Sequence, residues 1–196
     1  TIAIPYIGAI GNINSPLLDM PLKNSLAMKS GVGSVTFSRA TTATYIDRYG
    51  VLKYAGIDEP RFEKEGYLNE GASTNLFTYS EDINHTYWGG ATNSLVSGYP
   101  SPDGMNNATL ATTVDPNSCA IYQAIDFTQN SVTMSIYAKA GTASSLTMRN
   151  VSYDINYVVQ FDLDAGTTSQ AYGKIEEVGD GWYRCSATDV CTTTAT

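Results

Sequence analysis

Apolar and polar positions alternate with a period of two in several short runs, and this alternation predicts strands. Over 132–138, Val132, Met134, Ile136 and Ala138 fall on one face and Thr133, Ser135 and Tyr137 on the other, before Lys139-Ala140-Gly141-Thr142 turns the chain. The same period gathers Ile155, Tyr157, Val159, Phe161 and Leu163 ahead of a turn at Asp164-Ala165-Gly166. Ile121, Gln123, Ile125 and Phe127 predict a further strand, and Leu146 with Met148 a weaker one. Tyr183, Cys185 and Ala187 predict another, after a strand around Ile175 and Val178. Short strands at regular spacing, with no amphipathic helices between them, predict an antiparallel β-sandwich of jelly-roll type over 91–196.

Residues 34–90 read as a β-hairpin followed by an irregular connection. Thr44-Tyr45-Ile46 and Val51-Leu52-Lys53-Tyr54 flank a turn at Asp47-Arg48-Tyr49-Gly50. Ser80–Trp88 carries the signals of a short helix: Ser80 as N-cap, Glu81 and Asp82 at the positive end of the dipole, and Gly89-Gly90 as the stop. Trp88 would then join the N-terminal region to the sandwich. Residues 1–33 hold apolar positions among Pro5, Pro16, Pro21, Gly8 and Gly11 with no sustained period, which predicts an extended arm. An apolar arm must be covered, either by its own globular part or by a partner chain. Ile4, Ile7, Leu17, Leu18 and Leu22 are the candidate particle or subunit interface.

Composition narrows the function. The 196 residues include 11 Lys+Arg against 19 Asp+Glu, a formal charge of −8, so the electrostatic footprint of a nucleic-acid binder is missing. No apolar run has the length of a bilayer span, and no signal-peptide pattern opens the sequence. Neither membrane insertion nor the usual export route is expected. Cys119, Cys185 and Cys191 are odd in number and match no zinc spacing, which predicts free thiols.

Motifs of catalysis are missing as well: there is no Gly-x-Ser-x-Gly elbow, no His-Glu-x-x-His pair and no phosphate-binding glycine loop. The lone His85 has no nucleophile motif beside it. A glycosidase pair could be drawn from Glu63, Glu65, Glu70, Glu81, Asp82, Glu176 and Glu177, but the separation that defines such a pair is a property of the fold. Asp162, Asp164 and Asp180 offer oxygen ligands without the spacing of a calcium loop. No catalytic residue, metal or cofactor is therefore expected. Carbohydrate binding is the sharper alternative, because sugar C–H faces stack on exposed aromatic rings. Tyr122, Tyr137, Tyr153 and Tyr157 fall in or beside predicted strands and are the candidates. Half-buried strand faces also favour tyrosine, and Trp182 after Gly181 is expected as a core plug.

Several runs resemble a recurrent set of bacteriophage virion proteins found in tail fibres, tailspikes and head-spike fibres. They are Phe37-Ser38-Arg39-Ala40-Thr41-Thr42-Ala43-Thr44-Tyr45, Tyr49-Gly50-Val51-Leu52, Glu59-Pro60-Arg61-Phe62, and Ser73-Thr74-Asn75-Leu76 with Tyr79-Ser80-Glu81-Asp82. Downstream, Ser135-Ile136-Tyr137-Ala138-Lys139-Ala140-Gly141, Phe161-Asp162-Leu163 and Gly179-Asp180-Gly181-Trp182-Tyr183-Arg184-Cys185 are similar to the carbohydrate-binding-module-like sandwich of such proteins. The resemblance implies a virion structural or adhesion role and a sandwich of lectin or concanavalin-like type. It also implies a homo-oligomer, commonly a trimer, assembled into the virion in the host cytoplasm, with other virion proteins of tail, portal or capsid as partners. In this reading the chain is the N-terminal particle-attachment part of a fibre. Two alternatives stand beside it: a lectin-like module reading host surface glycan, and part of a polysaccharide-degrading tailspike. The family usually continues through further strands after Cys185, so a sandwich incomplete at its C-terminus is expected, with an unpaired edge.

Overall fold

The structure is a computed structural model that describes residues 19–31, 33–91, 93–113, 120–125, 131–151 and 156–190. The described residues contain twelve β-strands and no helix, so the fold is all-β. The chain divides into two compact units, one of residues 1–49 and 53–70, the other of residues 50–52 and 71–196.

In the first unit β1 (Ala43–Ile46) pairs with β2 (Leu52–Ala55) around the expected turn, where the Tyr49 N–H donates to Asp47 Oδ1 at 2.8 Å. A four-residue pair is too small to hold itself together, and two arginines supply cross-ties. Arg39 donates from Nε to the Thr41 carbonyl (2.8 Å) and from Nη2 to the Gly56 carbonyl (2.6 Å), while its backbone N–H donates to Asp58 Oδ1 (2.8 Å). Arg61 donates from Nη1 to the Thr44 carbonyl at 3.1 Å and pairs with Glu70 at 2.7 Å. Glu63 accepts the Ile46 N–H at 3.2 Å, and the Phe37 and Tyr67 rings meet edge to face. Of two runs that carry the resemblance, the one around Arg39 thus ties together the segments flanking the hairpin, and the one around Arg61 ties a loop to β1.

Of the arm, the described part begins at Asp19. Asp19 and Ser30 form an antiparallel bridge that closes the loop between them. Leu22 is half-buried, with a left-handed φ of 54°, and its carbonyl accepts the Tyr67 N–H at 2.7 Å. Ile4, Ile7, Leu17 and Leu18 lie outside the described residues.

The second unit holds two three-stranded antiparallel sheets. One has the order β11 (Gly173–Gly179), β12 (Trp182–Val190), β7 (Ser131–Lys139). The other has the order β10 (Thr167–Thr168), β9 (Asn156–Asp162), β8 (Ser145–Val151). Both contribute to a single apolar cluster. Val159, Phe161 and Leu163 enter it from β9 and the turn after it, Met148 from β8, and Cys185 and Ala187 from β12. Val158 and Gln160, one position out of phase, are exposed, as a period of two requires. Gly173 marks the closest approach, since a Cβ there would stand 2.6 Å from Val159 Cγ1 and 2.5 Å from Thr168 Oγ1.

Two expectations about this core are corrected. Ile136, expected inside with Met134 and Ala138, is 41% exposed, although its cross-strand partner Cys185 is fully buried. Among the described residues β7 is the outer strand of its sheet, paired with β12 alone, and edge strands leave side chains less covered. Trp182 is outside the core cluster, and Tyr183 packs against it instead, because strand alternation from Cys185 and Ala187 turns Tyr183 inward.

Among the described residues the unit also holds two smaller ribbons. β3 (Gly89–Ala91) pairs with β6 (Ala120–Tyr122), and β4 (Asn93–Tyr99) pairs with β5 (Ala108–Thr113), all antiparallel. The β4–β5 ladder shifts register between Ser97 and Tyr99, at Gly98 with φ of 100°.

Candidate functional site

Five of the chain's ring-bearing side chains, Phe77, Tyr79, His85, Tyr87 and Trp88, fall in the short segment ahead of β3. The helix expected over Ser80–Trp88 does not form; the segment is a run of tight turns. Its backbone bonds span three residues: Asp82 N–H to the Tyr79 carbonyl (3.0 Å), His85 N–H to the Asp82 carbonyl (3.1 Å) and Trp88 N–H to the His85 carbonyl (2.9 Å). Side chains capture the N–H groups that a helix would need. Asp82 Oδ1 takes the Asn84 N–H at 3.2 Å and His85 Nδ1 takes the Tyr87 N–H at 3.2 Å, while Tyr79 has a left-handed φ of 53°.

These turns build a ledge of rings. Tyr79 and His85 stack with centroids 3.4 Å apart and planes 8° from parallel; Tyr87 leans against both, 5.6 Å from Tyr79 and 5.9 Å from His85, at 45° and 41°. Phe77 and Trp88 form a second stack at 5.2 Å, and Trp88 Nε1 donates to the Tyr79 carbonyl at 3.0 Å. Trp88 is thus a brace for the ledge. With Nδ1 accepting from Tyr87, a neutral His85 carries its proton on Nε2. Tyr79 is 50% exposed and Tyr87 63%.

Polar side chains fasten the ledge to neighbouring strands. Gln123, just past β6, accepts from the Thr78 N–H (3.0 Å) and donates to the Thr78 carbonyl (3.1 Å). Asn84 donates from Nδ2 to Ser97 Oγ on β4, and Ser97 Oγ is 2.9 Å from Thr109 Oγ1 on β5. Anchored aromatic faces beside amide and hydroxyl groups can stack a sugar ring and hydrogen-bond its hydroxyls.

The residues selected from sequence are dispersed. Tyr122 is 62% exposed on β6, with its ring over Gly89, where a Cβ would come within 2.5 Å of Cζ. Tyr137 is half-buried on β7, on a different sheet, opposite Arg184 in the ladder. Tyr157 lies in β9 opposite Asn150, with its side chain outside the described residues; Tyr153 lies wholly outside them. Strand alternation points only to rings on strands, whereas Tyr79, His85 and Tyr87 stand on turns. Their signal is the density of rings among Asn, Asp and Ser.

The carboxylates considered for glycoside cleavage are largely engaged elsewhere. Glu63 accepts the Ile46 N–H, Glu70 pairs with Arg61, and Glu176 pairs with Lys174 at 2.7 Å and Arg184 at 3.3 Å. Asp162 Oδ1 accepts the N–H groups of Asp164 and Ala165. Among the described residues, no group of three or more His, Cys, Asp or Glu could hold a metal ion. Neither a protein-family model nor a curated protein matches the chain.

Proposed function

We propose that the chain is a non-enzymatic part of a bacteriophage virion fibre, whether tail fibre, tailspike or head fibre, and that it serves host adhesion by binding surface carbohydrate at the Tyr79–His85–Tyr87 ledge. The observation that carries the binding role is the geometry of that ledge: a near-parallel ring pair with a third ring inclined to it, two of the three at least half exposed. Large rings left in water on braced turns have no role in the core, and sugar stacking gives them one. The fibre assignment rests on the ordered sequence resemblance, and two three-stranded sheets that contribute to one apolar cluster support the reading of a lectin-like sandwich.

The test is a glycan array and calorimetry on the full chain, with Tyr79→Ala and Tyr87→Ala as variants. Each substitution is expected to weaken binding about tenfold while leaving thermal unfolding in place. Normal affinity in both variants, or an array without any bound glycan, would remove the ledge from adhesion.

A particle-attachment role is supported by apolar surface elsewhere. Val96 and Leu110 are cross-strand partners on β4 and β5, yet are 49% and 42% exposed, as contacts awaiting a sister chain would be. Separately, the apolar residues Ile4, Ile7, Leu17, Leu18 and Leu22 would be buried against sister chains in a trimer. Deleting residues 1–18 is then expected to abolish incorporation into particles; normal incorporation would count against it.

A further inference from the structure

We infer that the ledge is built for uncharged saccharides and rejects acidic ones, an inference that rests on the adhesion reading above. Between Lys64 and Lys139 the sequence has no Lys or Arg, while Glu81, Asp82 and Asp103 are among the acids in that stretch. The whole ledge and both ribbons beside it lie inside this cation-free stretch. The basic residues of the second unit are instead on the two three-stranded sheets, Lys139 on β7, Arg149 on β8, Lys174 on β11 and Arg184 on β12. Two of these four are already committed, since Lys174 and Arg184 both pair with Glu176.

Recognition of a uronate, sialate or phosphate-bearing polymer relies on Arg or Lys to bind the anion, often bidentately. Here the ledge offers the amide of Asn84, the hydroxyls of Ser97 and Thr109, and the ring faces of Tyr79 and Tyr87. These are neutral donors and acceptors with apolar planes, the complement of a hexopyranose hydroxyl rim and C–H face. Glu81 and Asp82, both exposed on the same run of turns, add a field that repels anions at low salt.

An open stack also separates sugar binding from cation recognition. An ammonium group is favoured by rings that enclose it, whereas Tyr79 and His85 lie nearly parallel, one face covering the other, and Tyr87 supplies a single inclined wall. The occupant that fits is a neutral ring laid on the exposed faces.

The experiment measures the full chain against immobilised neutral glucan and galactan, acidic polygalacturonate and hyaluronan, and cationic chitosan, each at low and at high NaCl. Neutral polymers are expected to bind with less than about twofold change between the salts, and acidic ones about tenfold more weakly at low salt, with the gap narrowing as salt screens the field. Glu81→Lys, at an exposed position, is expected to raise acidic-polymer binding and leave neutral binding unchanged. Preference for the acidic polymers, or a preference for chitosan that persists at high NaCl where the field is screened, would overturn the inference while leaving carbohydrate adhesion standing. Absence of binding to every polymer would take down the adhesion reading and this inference with it.

Discussion

Tyr79 and His85 lie ring on ring at 3.4 Å, although Asp82 and its turn separate them along the chain. The pair is held from two sides, by the Tyr87 N–H on His85 Nδ1 and by the Trp88 indole N–H on the Tyr79 carbonyl. His85→Ala removes both the stacking partner of Tyr79 and the acceptor for Tyr87. It is expected to lower carbohydrate affinity about tenfold by loosening two rings at once. His85→Phe keeps a ring but no acceptor, so it should recover only part of the loss, with Tyr87 still free to shift. Titration calorimetry of the two variants checks this: full recovery of affinity in His85→Phe would show that the Nδ1 bond does not position Tyr87, and equal loss in both would show that the ring stack contributes nothing.

Phe161 is fully buried among Val159, Leu163, Met148 and Cys185. Truncation to alanine there leaves a cavity that strands cannot close without breaking ladder bonds, and the expected cost is about 3–5 kcal/mol. Val158→Ala, one residue out of phase and 46% exposed, should stay within about 0.5 kcal/mol. Urea midpoints of the two variants check the contrast; similar shifts would place Phe161 outside the main core.

That contrast was legible in the sequence, because large apolar residues at 159, 161 and 163 leave a period of two little ambiguity. Other features were not. Ile136 has the same periodicity, but its burial depends on cover from a second sheet, which the strand's own residues do not encode. The β4–β5 ribbon is rich in Asn, Ser and Thr, so its pattern is faint, and its pairing is set by contact with another strand. The segment 80–88 has helix-start residues, yet Asp82 and His85 use their side chains locally against the helix. The candidate site was hidden for the same reason: rings far from strand periodicity converge only once these turns form.

Arg39 makes three side-chain and backbone ties across the first unit and lies 5.7 Å over the Phe37 ring. Lysine preserves the charge but has no fork to reach the Thr41 and Gly56 carbonyls together. Arg39→Lys is therefore expected to cost about 1–3 kcal/mol. Hydrogen exchange should accelerate in peptides covering 37–62 and remain unchanged over 156–188. Exchange that speeds equally in both would contradict a local clamp.

Cys185 is a free thiol, fully buried in the core, and burial pushes its ionisation from the ordinary value of 9.0 up to about 11. The folded protein then keeps a proton that the unfolded chain releases, so its contribution to stability is complete below pH 9 and is lost as the pH rises from 9 through about 11. The loss should be on the order of 1 kcal/mol per pH unit in that window. Tyr45 is also pushed upward, by burial first and then by Glu59 and Asp47, and it adds its own alkaline dependence. Comparison with Cys185→Ala cancels the tyrosine contribution, since both proteins retain it. Urea unfolding across the window should show a steeper decline in the parent than in Cys185→Ala. In a chain carrying Cys119→Ser and Cys191→Ser, a thiol reagent at pH 8 should then label Cys185 only as fast as the protein opens. Parallel pH profiles with rapid labelling of the native state would mean that solvent reaches the sulfur.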